Sequence, residues 1–229
     1  MPERTIPVGN MIIAIQTLTG IAIAVESPHL AQPEETPNII PVNPLTVLAY
    51  HETLPLGEQM VETVLRPQVD LDSDIISIAT QADHAFRKFV AQEEVQSPIG
   101  FLFFGYTPKG EGTMLGWFYA DDQTRTTRFF PYCTSRPNPV VGYLVKKVYT
   151  PDISLTKALE LAAYAMTQSK IVLAQRPTIE YEGFNLVAIH PERGFFWLDK
   201  EAIESIVKHN EERDRALCIK CADLFLNER

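Results

Sequence analysis

The 229-residue chain is poor in cysteine, in positive charge and in long apolar runs. Its three cysteines, a small and odd number, argue against the disulfide framework of a secreted domain. The net charge of −9 gives a field that repels nucleic acid. The most apolar stretch, Met11–Val25, is interrupted by Gln16, Thr17, Thr19 and Gly20, whereas a membrane-spanning helix needs about 20 apolar residues in a row. We therefore expect no nucleic-acid partner, no membrane segment, and a cytoplasmic or also nuclear location.

The composition is that of a globular protein with a sizeable core. Hydrophobic residues make up 45% of the chain and charged residues 21%. At roughly 100–200 residues per domain, the length fits one main domain. We assign residues 1–9 to a short N-terminal tail, residues 10–208 to the main domain, and residues 209–229 to a C-terminal helical extension.

Two of the cysteines, Cys218 and Cys221, form a C-x-x-C pair. Such a pair serves in redox chemistry or forms half of a zinc site, but a closed zinc site needs four ligands and the chain has no second pair of this kind. The interpretation that we favour is two thiols one helical turn apart, packed as small apolar side chains. We accordingly expect no metal and no cofactor.

Short segments rich in apolar and β-branched residues, bounded by Gly, Pro or Asn, predict β-strands. They are Met11–Gln16, Ile21–Glu26, Asn38–Val42, Leu45–Tyr50, Ile99–Tyr106, Thr113–Ala120, Thr126–Cys133, Phe184–His190 and Phe195–Leu198. Most are joined by short turns such as Thr17–Gly20 and Thr107–Gly112, so neighbouring strands should pair antiparallel.

Other segments have the spacing of amphipathic helices. They are Leu56–Leu65, a helix over Ile75–Phe86 capped by Asp72 or Ser73, Asn138–Tyr149, a helix over Leu155–Met166 capped by Asp152 or Ser154, and Lys200–Lys208. The charged run Glu211–Arg215 predicts a solvated helix face. Helix pairs alternate with groups of strands, and the regular strand–helix–strand order of a parallel sheet is missing. The sequence therefore predicts an α+β fold, a four-layer αββα sandwich of two mostly antiparallel sheets flanked by helices.

Five stretches of the chain carry a resemblance to a known family. They are Gly20–Glu26 (GIAIAVE), Asn38–Tyr50 (NIIPVNPLTVLAY), Phe101–Gly110 with Gly116–Asp121 (FLFFGYTPKG and GWFYAD), Gly142–Met166 (GYLVKKVYTPDISLTKALELAAYAM) and Asn185–Glu201 (NLVAIHPERGFFWLDKE). Over about residues 10–208 the chain resembles the proteasome subunits, which have the N-terminal-nucleophile hydrolase fold. The resemblance implies a subunit that packs its outer helices on neighbouring subunits.

The resemblance also implies where protease chemistry would lie, namely a threonine at the start of the first strand and a lysine in the third. This chain has Asn10 and Asn38 at those positions, Glu26 where the family has an aspartate, and Thr134–Pro139, which includes Asn138, in place of a glycine/serine turn. An amide offers no hydroxyl nucleophile. We therefore predict a degenerate site without a catalytic residue.

Other nucleophiles are conceivable at Thr5, Thr17, Thr19 and Cys133, and we interpret all four as structural. An active amidase or peptidase of the same fold, with an unrecognised nucleophile, remains one alternative function. A monomeric binding module or assembly factor is the second.

The predicted role is structural, in an assembly with other proteasome-like subunits, as a homo- or hetero-oligomer. Helix Asn138–Tyr149 is apolar around much of its circumference, which is typical of a helix buried on more than one side. Val141, Leu144, Val145 and Val148 are the candidate interface residues. The chain shares features with both the inner-ring and the outer-ring branch of the family, and the sequence leaves the branch open.

Overall fold

The computed structural model describes residues 11–27, 39–51, 57, 59–93, 95, 98–120, 123–135, 139–173 and 183–227. For residues 51, 170–173 and 217–227 it describes the backbone alone. The strands are β1 (Ile12–Gln16), β2 (Ile21–Ser27), β3 (Ile39–Asn43), β4 (Thr46–His51), β5 (Ile99–Tyr106), β6 (Gly112–Ala120), β7 (Gln123–Phe129), β8 (Tyr132–Thr134), β9 (Gly183–His190) and β10 (Gly194–Trp197).

The helices follow the predicted order along the chain. A π-helical turn, Val61–Leu65, runs into the short α1 (Arg66–Gln68), and the others are α2 (Ile75–Gln92), α3 (Pro139–Val148), α4 (Leu155–Leu173) and α5 (Lys200–Asn227). Helix α5 continues through residue 209, where the sequence analysis places a domain boundary.

Two five-stranded antiparallel sheets form the centre of the fold. The first sheet has the strand order β10-β9-β2-β1-β8 and the second the order β3-β4-β5-β6-β7. Side chains alternate between the two faces of each strand, so Ile12 and Ala14 face the second sheet while Ile13 and Ile15 face the helices. The core between the sheets includes Ile23, Val187, Val47, Leu102 and Phe104.

Each outer face of the sandwich is covered by helices. Helix α2 packs Ile78, Phe86 and other apolar side chains on the second sheet. Helices α3, α4 and the start of α5 cover the first sheet, with Val145, Ala162 and Ile203 in that core. The predicted α+β fold with four αββα layers is confirmed.

Two local predictions are wrong. The predicted strand Thr126–Cys133 is two strands in different sheets, because Pro131 has no amide hydrogen to continue a ladder and the chain crosses from β7 in the second sheet to β8 in the first. The cap of α2 is Asp74, whose Oδ1 accepts hydrogen bonds from the amides of Ile76 (2.9 Å) and Ser77 (3.4 Å).

The charged run Glu211–Arg215 is exposed, as predicted, except at the half-buried Asp214. The Tyr164 hydroxyl donates to Asp214 Oδ1 at 2.8 Å, and the Gln168 amide donates to Asp214 Oδ2 at 3.2 Å. One turn earlier, the Asn210 side chain donates to the Glu160 carbonyl at 3.2 Å. This face of α5 therefore docks on α4 through polar contacts.

Candidate functional site

Four strands of the first sheet bring polar side chains together at one end of that sheet. Strands β1 and β9 begin at this end of the sheet, and strands β2 and β8 end there. The pairing register sets Ile12 opposite Val25, and Val25 opposite Asn185. We call Glu26, Ser27, Ser135 and Asn185 the polar end of the first sheet. All four side chains are buried.

Glu26 holds the first described residue of the chain. Its Oε2 accepts a hydrogen bond from the Met11 amide at 2.9 Å, while its own amide donates to the Met11 carbonyl at 2.8 Å. Glu26 is 5% exposed. A buried carboxylate needs such a donor, because burial without a hydrogen-bond partner carries a large desolvation free energy.

Ser135 fixes the next residue in the same way. Its hydroxyl accepts from the Ile12 amide at 2.9 Å, and its amide donates to the Ile12 carbonyl at 3.0 Å. Glu26 and Ser135 therefore supply side-chain acceptors for two successive amides at the start of β1. This arrangement anchors the strand.

Ser27 and Asn185 lie on the face of the first sheet that is turned toward the second sheet, since they alternate with residues on the helical face. Both side chains are fully buried. Within the described part of the chain, the Ser27 hydroxyl has no hydrogen-bond partner. A hydroxyl enclosed in this way is not accessible to a peptide substrate.

The structure places only one of the four predicted former-site residues. Glu26 lies at the polar end, next to the start of β1. Asn10, Asn38 and Asn138 lie outside the described residues, as does Thr5. The side chains of Cys218 and Cys221 also lie outside them.

The Thr17 hydroxyl has the predicted structural role in the β1–β2 turn. The Thr17 hydroxyl donates to the Gly20 carbonyl at 2.9 Å and accepts from the Thr19 amide at 3.1 Å. Both threonines belong to the β1–β2 turn, at the opposite end of β1 from Glu26. The Thr17 hydroxyl satisfies backbone groups of that turn, whereas the Thr19 side chain is exposed.

Cys133 is a buried thiol in the core between the sheets. Burial raises its pKa to about 12, so the nucleophilic thiolate is disfavoured at neutral pH. The interpretation of Cys133 as structural is consistent with this environment.

The sequence alone does not point to Ser27, Ser135 or Asn185. Ser27 and Asn185 are adjacent only through strand register, and Ser135 lies in the segment Thr134–Pro139 that looked like a replaced turn. The one local signal was that Ser27 directly follows Glu26.

The predicted interface residues of α3 point in different directions. Val141 and Val145 have no exposed surface and pack on the first sheet, so no neighbouring molecule can contact them in this fold. Leu144 is half-buried, and Val148 is 50% exposed. Tyr143, which is not among the predicted interface residues, is 62% exposed. The exposed surface of α3 therefore carries Tyr143 and Val148 beside the exposed Lys146 and Lys147, with Leu144 half-buried.

Comparison with known proteins gives no assignment. No protein-family model matches the chain, and no curated protein matches it. In the described ranges, no helix is long and apolar enough to cross a membrane. The same residues contain no group of three His, Cys, Asp or Glu side chains placed to hold a metal ion.

Proposed function

We propose that the chain is a non-catalytic, proteasome-like subunit with a structural role in a multi-subunit assembly. The observation that carries the proposal is the polar end of the first sheet. There Glu26 and Ser135 accept hydrogen bonds from the amides of Met11 and Ile12. The resemblance places Glu26 where active members have an aspartate, and Ser135 in the segment that replaces their glycine/serine turn. Here they hold the strand that follows Asn10.

The architecture supports the same proposal. Two antiparallel sheets packed face to face between helical layers are what the resemblance to proteasome subunits implies. The outer face of α3 carries exposed apolar surface at Tyr143 and Val148, which suits contact with a neighbouring subunit.

Two alternatives differ from this proposal in what they require. An active amidase requires an accessible nucleophile, whereas Ser27 and Cys133 are buried and the Cys133 thiolate is disfavoured. A monomeric binding module requires no self-association or partner subunit, and native mass separates it from an assembly subunit.

The test combines native mass, intact mass and a peptidase assay on the purified protein. We expect a particle several times heavier than the 25.8 kDa chain, no cleavage between Gly9 and Asn10, and background activity on fluorogenic peptides. The control is Asn10→Thr with Asn38→Lys, which should also stay at background because nucleophile, base and orienting groups act as a unit.

Two outcomes would overturn the proposal. Loss of residues 1–9 together with peptide cleavage would establish the enzyme. A 25.8 kDa monomer at micromolar concentration, also in the presence of its co-expressed partners, would favour the binding module.

A further inference from the structure

Strand β7 is the last strand of the second sheet, and its outer edge has the properties of a binding surface. It pairs with β6 on one side, and the described part of the chain places no strand on the other. Its seven residues are all exposed or half-buried. The amide and carbonyl groups of such an edge are available to pair with another extended chain.

Two arginines mark this edge. Arg125 lies opposite Phe118 and Arg128 opposite Leu115, and both side chains are exposed. Among the residues that the structure describes, neither guanidinium forms an ion pair. The strand has no acidic residue (QTRTTRF). In a chain with a net charge of −9, the two arginines give this edge positive charge, and the acidic Asp121 and Asp122 directly precede the strand in the sequence.

An apolar contact lies just beyond the strand. Phe130 directly follows β7 and is 67% exposed, and its ring meets the ring of Tyr149 edge-on with centroids 6.3 Å apart. A partner strand on β7 that extends past Arg128 would reach this aromatic surface.

We propose that β7 binds an extended acidic segment of another protein, which adds to the second sheet as a sixth strand. The spacing of the arginines defines the segment. Arg125 and Arg128 are three residues apart and so project from opposite faces of the sheet. Cross-strand charge matching then requires acidic residues that are also three positions apart, one on each face. The proposal does not depend on the proposed function.

A second copy of this chain fits the edge less well. Full antiparallel pairing of two β7 strands puts the Arg125 residues of the two copies at diagonal positions on one face, and like charges across strands are destabilising. The opposite edge strand of the same sheet, β3, contains Pro41 and no acidic residue, so it offers no matching charge.

The test is fluorescence anisotropy with a labelled peptide of about ten residues, mostly Thr and Val, with two Glu three positions apart. The first control peptide has the same composition with Glu two positions apart, so that both carboxylates lie on one face. The second has Lys in place of Glu. We expect the first control to bind up to about fivefold more weakly, because it loses one cross-strand ion pair and such a pair strengthens binding up to about fivefold. We expect the Lys peptide not to bind.

Protein variants locate the site. Arg125→Gln and Arg128→Gln should each weaken binding up to about fivefold, whereas Arg193→Gln, at an exposed turn of the first sheet, should not change it. N-methylation of alternate peptide amides tests strand addition itself. One alternating set faces β7 and should abolish binding, and the other should not.

The proposal fails if the acidic peptide does not bind, or if binding is indifferent to Glu spacing and to both sets of N-methyl groups. It also fails if Arg125→Gln with Arg128→Gln causes the protein to self-associate through β7. In that case the arginines serve to keep the edge unpaired.

Discussion

At the scale of single residues, three buried polar side chains of this fold bind backbone groups. Glu26 and Ser135 accept from the first amides of β1, and Thr17 closes the turn at the other end of β1. Each bond satisfies a group that would otherwise be buried without a partner. Cys133 contributes through packing, since its thiol lies in the apolar core between the sheets.

Burial of the Cys133 thiol predicts an alkaline loss of stability. Its pKa rises from 9.0 in the unfolded chain to about 12 in the folded one. Below pH 9 the thiol is protonated in both states, and its contribution is fully present. Above pH 9 only the unfolded chain loses the proton, so the free energy of unfolding should fall by up to about 1.4 kcal/mol per pH unit.

Urea unfolding of the wild type and Cys133→Ala between pH 8 and pH 11 measures this slope. In both Cys133→Ala and Cys133→Ser, the free energy of unfolding should fall less steeply with pH than in the wild type, because neither new side chain titrates between pH 8 and pH 11. Tyr106, whose pKa burial also raises to about 12, contributes equally to all three proteins. Equal slopes in the wild type and both variants would contradict the prediction.

At the scale of elements, the chain shows which features periodicity can predict. The strand Ile99–Tyr106 occurs with the predicted bounds, and the buried stripe of α4, residues 158–166, lies within the predicted helix. Both follow from the repeat of apolar residues along the element. The division between β7 and β8 was missed, because residues 126–133 keep a strand-like composition across Pro131.

The cap of α2 provides an element-scale prediction. Hydrogen bonds from the Ser77 hydroxyl and from the Ile76 and Ser77 amides lower the pKa of Asp74 below its usual value of 3.8. Asp74→Ala should lower the thermal midpoint by about 2–4 °C. Asp72→Ala, at the residue that the sequence suggested as cap, should leave it nearly unchanged, since Asp72 is exposed and, within the described ranges, forms a hydrogen bond through its amide alone.

The same pair of variants has a defined pH dependence. A lowered pKa means that the Asp74 carboxylate stabilises the fold above pH 3.8 and that this effect is lost as the pH falls through the folded-state pKa. The difference in midpoint between wild type and Asp74→Ala should therefore shrink in acid. An effect of Asp72→Ala as large as that of Asp74→Ala would contradict the assignment of the cap.

At the scale of the whole molecule, the layered architecture was predictable and the polar end of the first sheet was not. The layers follow from the order of hairpins and helix pairs along the chain. The polar end joins residues 26, 135 and 185, whose proximity depends on strand register and on the order β9-β2-β1-β8. A single sequence contains no local pattern for such an arrangement. Glu26 was identified through the family resemblance, as the acid at the end of the apolar second strand.

The outward face of α3 gives the last prediction, which concerns assembly. Tyr143→Glu and Val148→Glu place charge on surface that is mostly exposed, so each should leave the thermal midpoint of the isolated chain within a few degrees. The carboxylate introduced by Tyr143→Glu would also lie one turn before Lys147, a favourable spacing on a helix. If α3 contacts a neighbouring subunit, both variants should reduce the particle mass in light scattering.

Val141→Glu is the contrasting variant, because it buries an unpaired charge against the first sheet and should destabilise the fold by about 3–5 kcal/mol. Particles of unchanged mass from folded Tyr143→Glu and Val148→Glu would show that assembly uses another face.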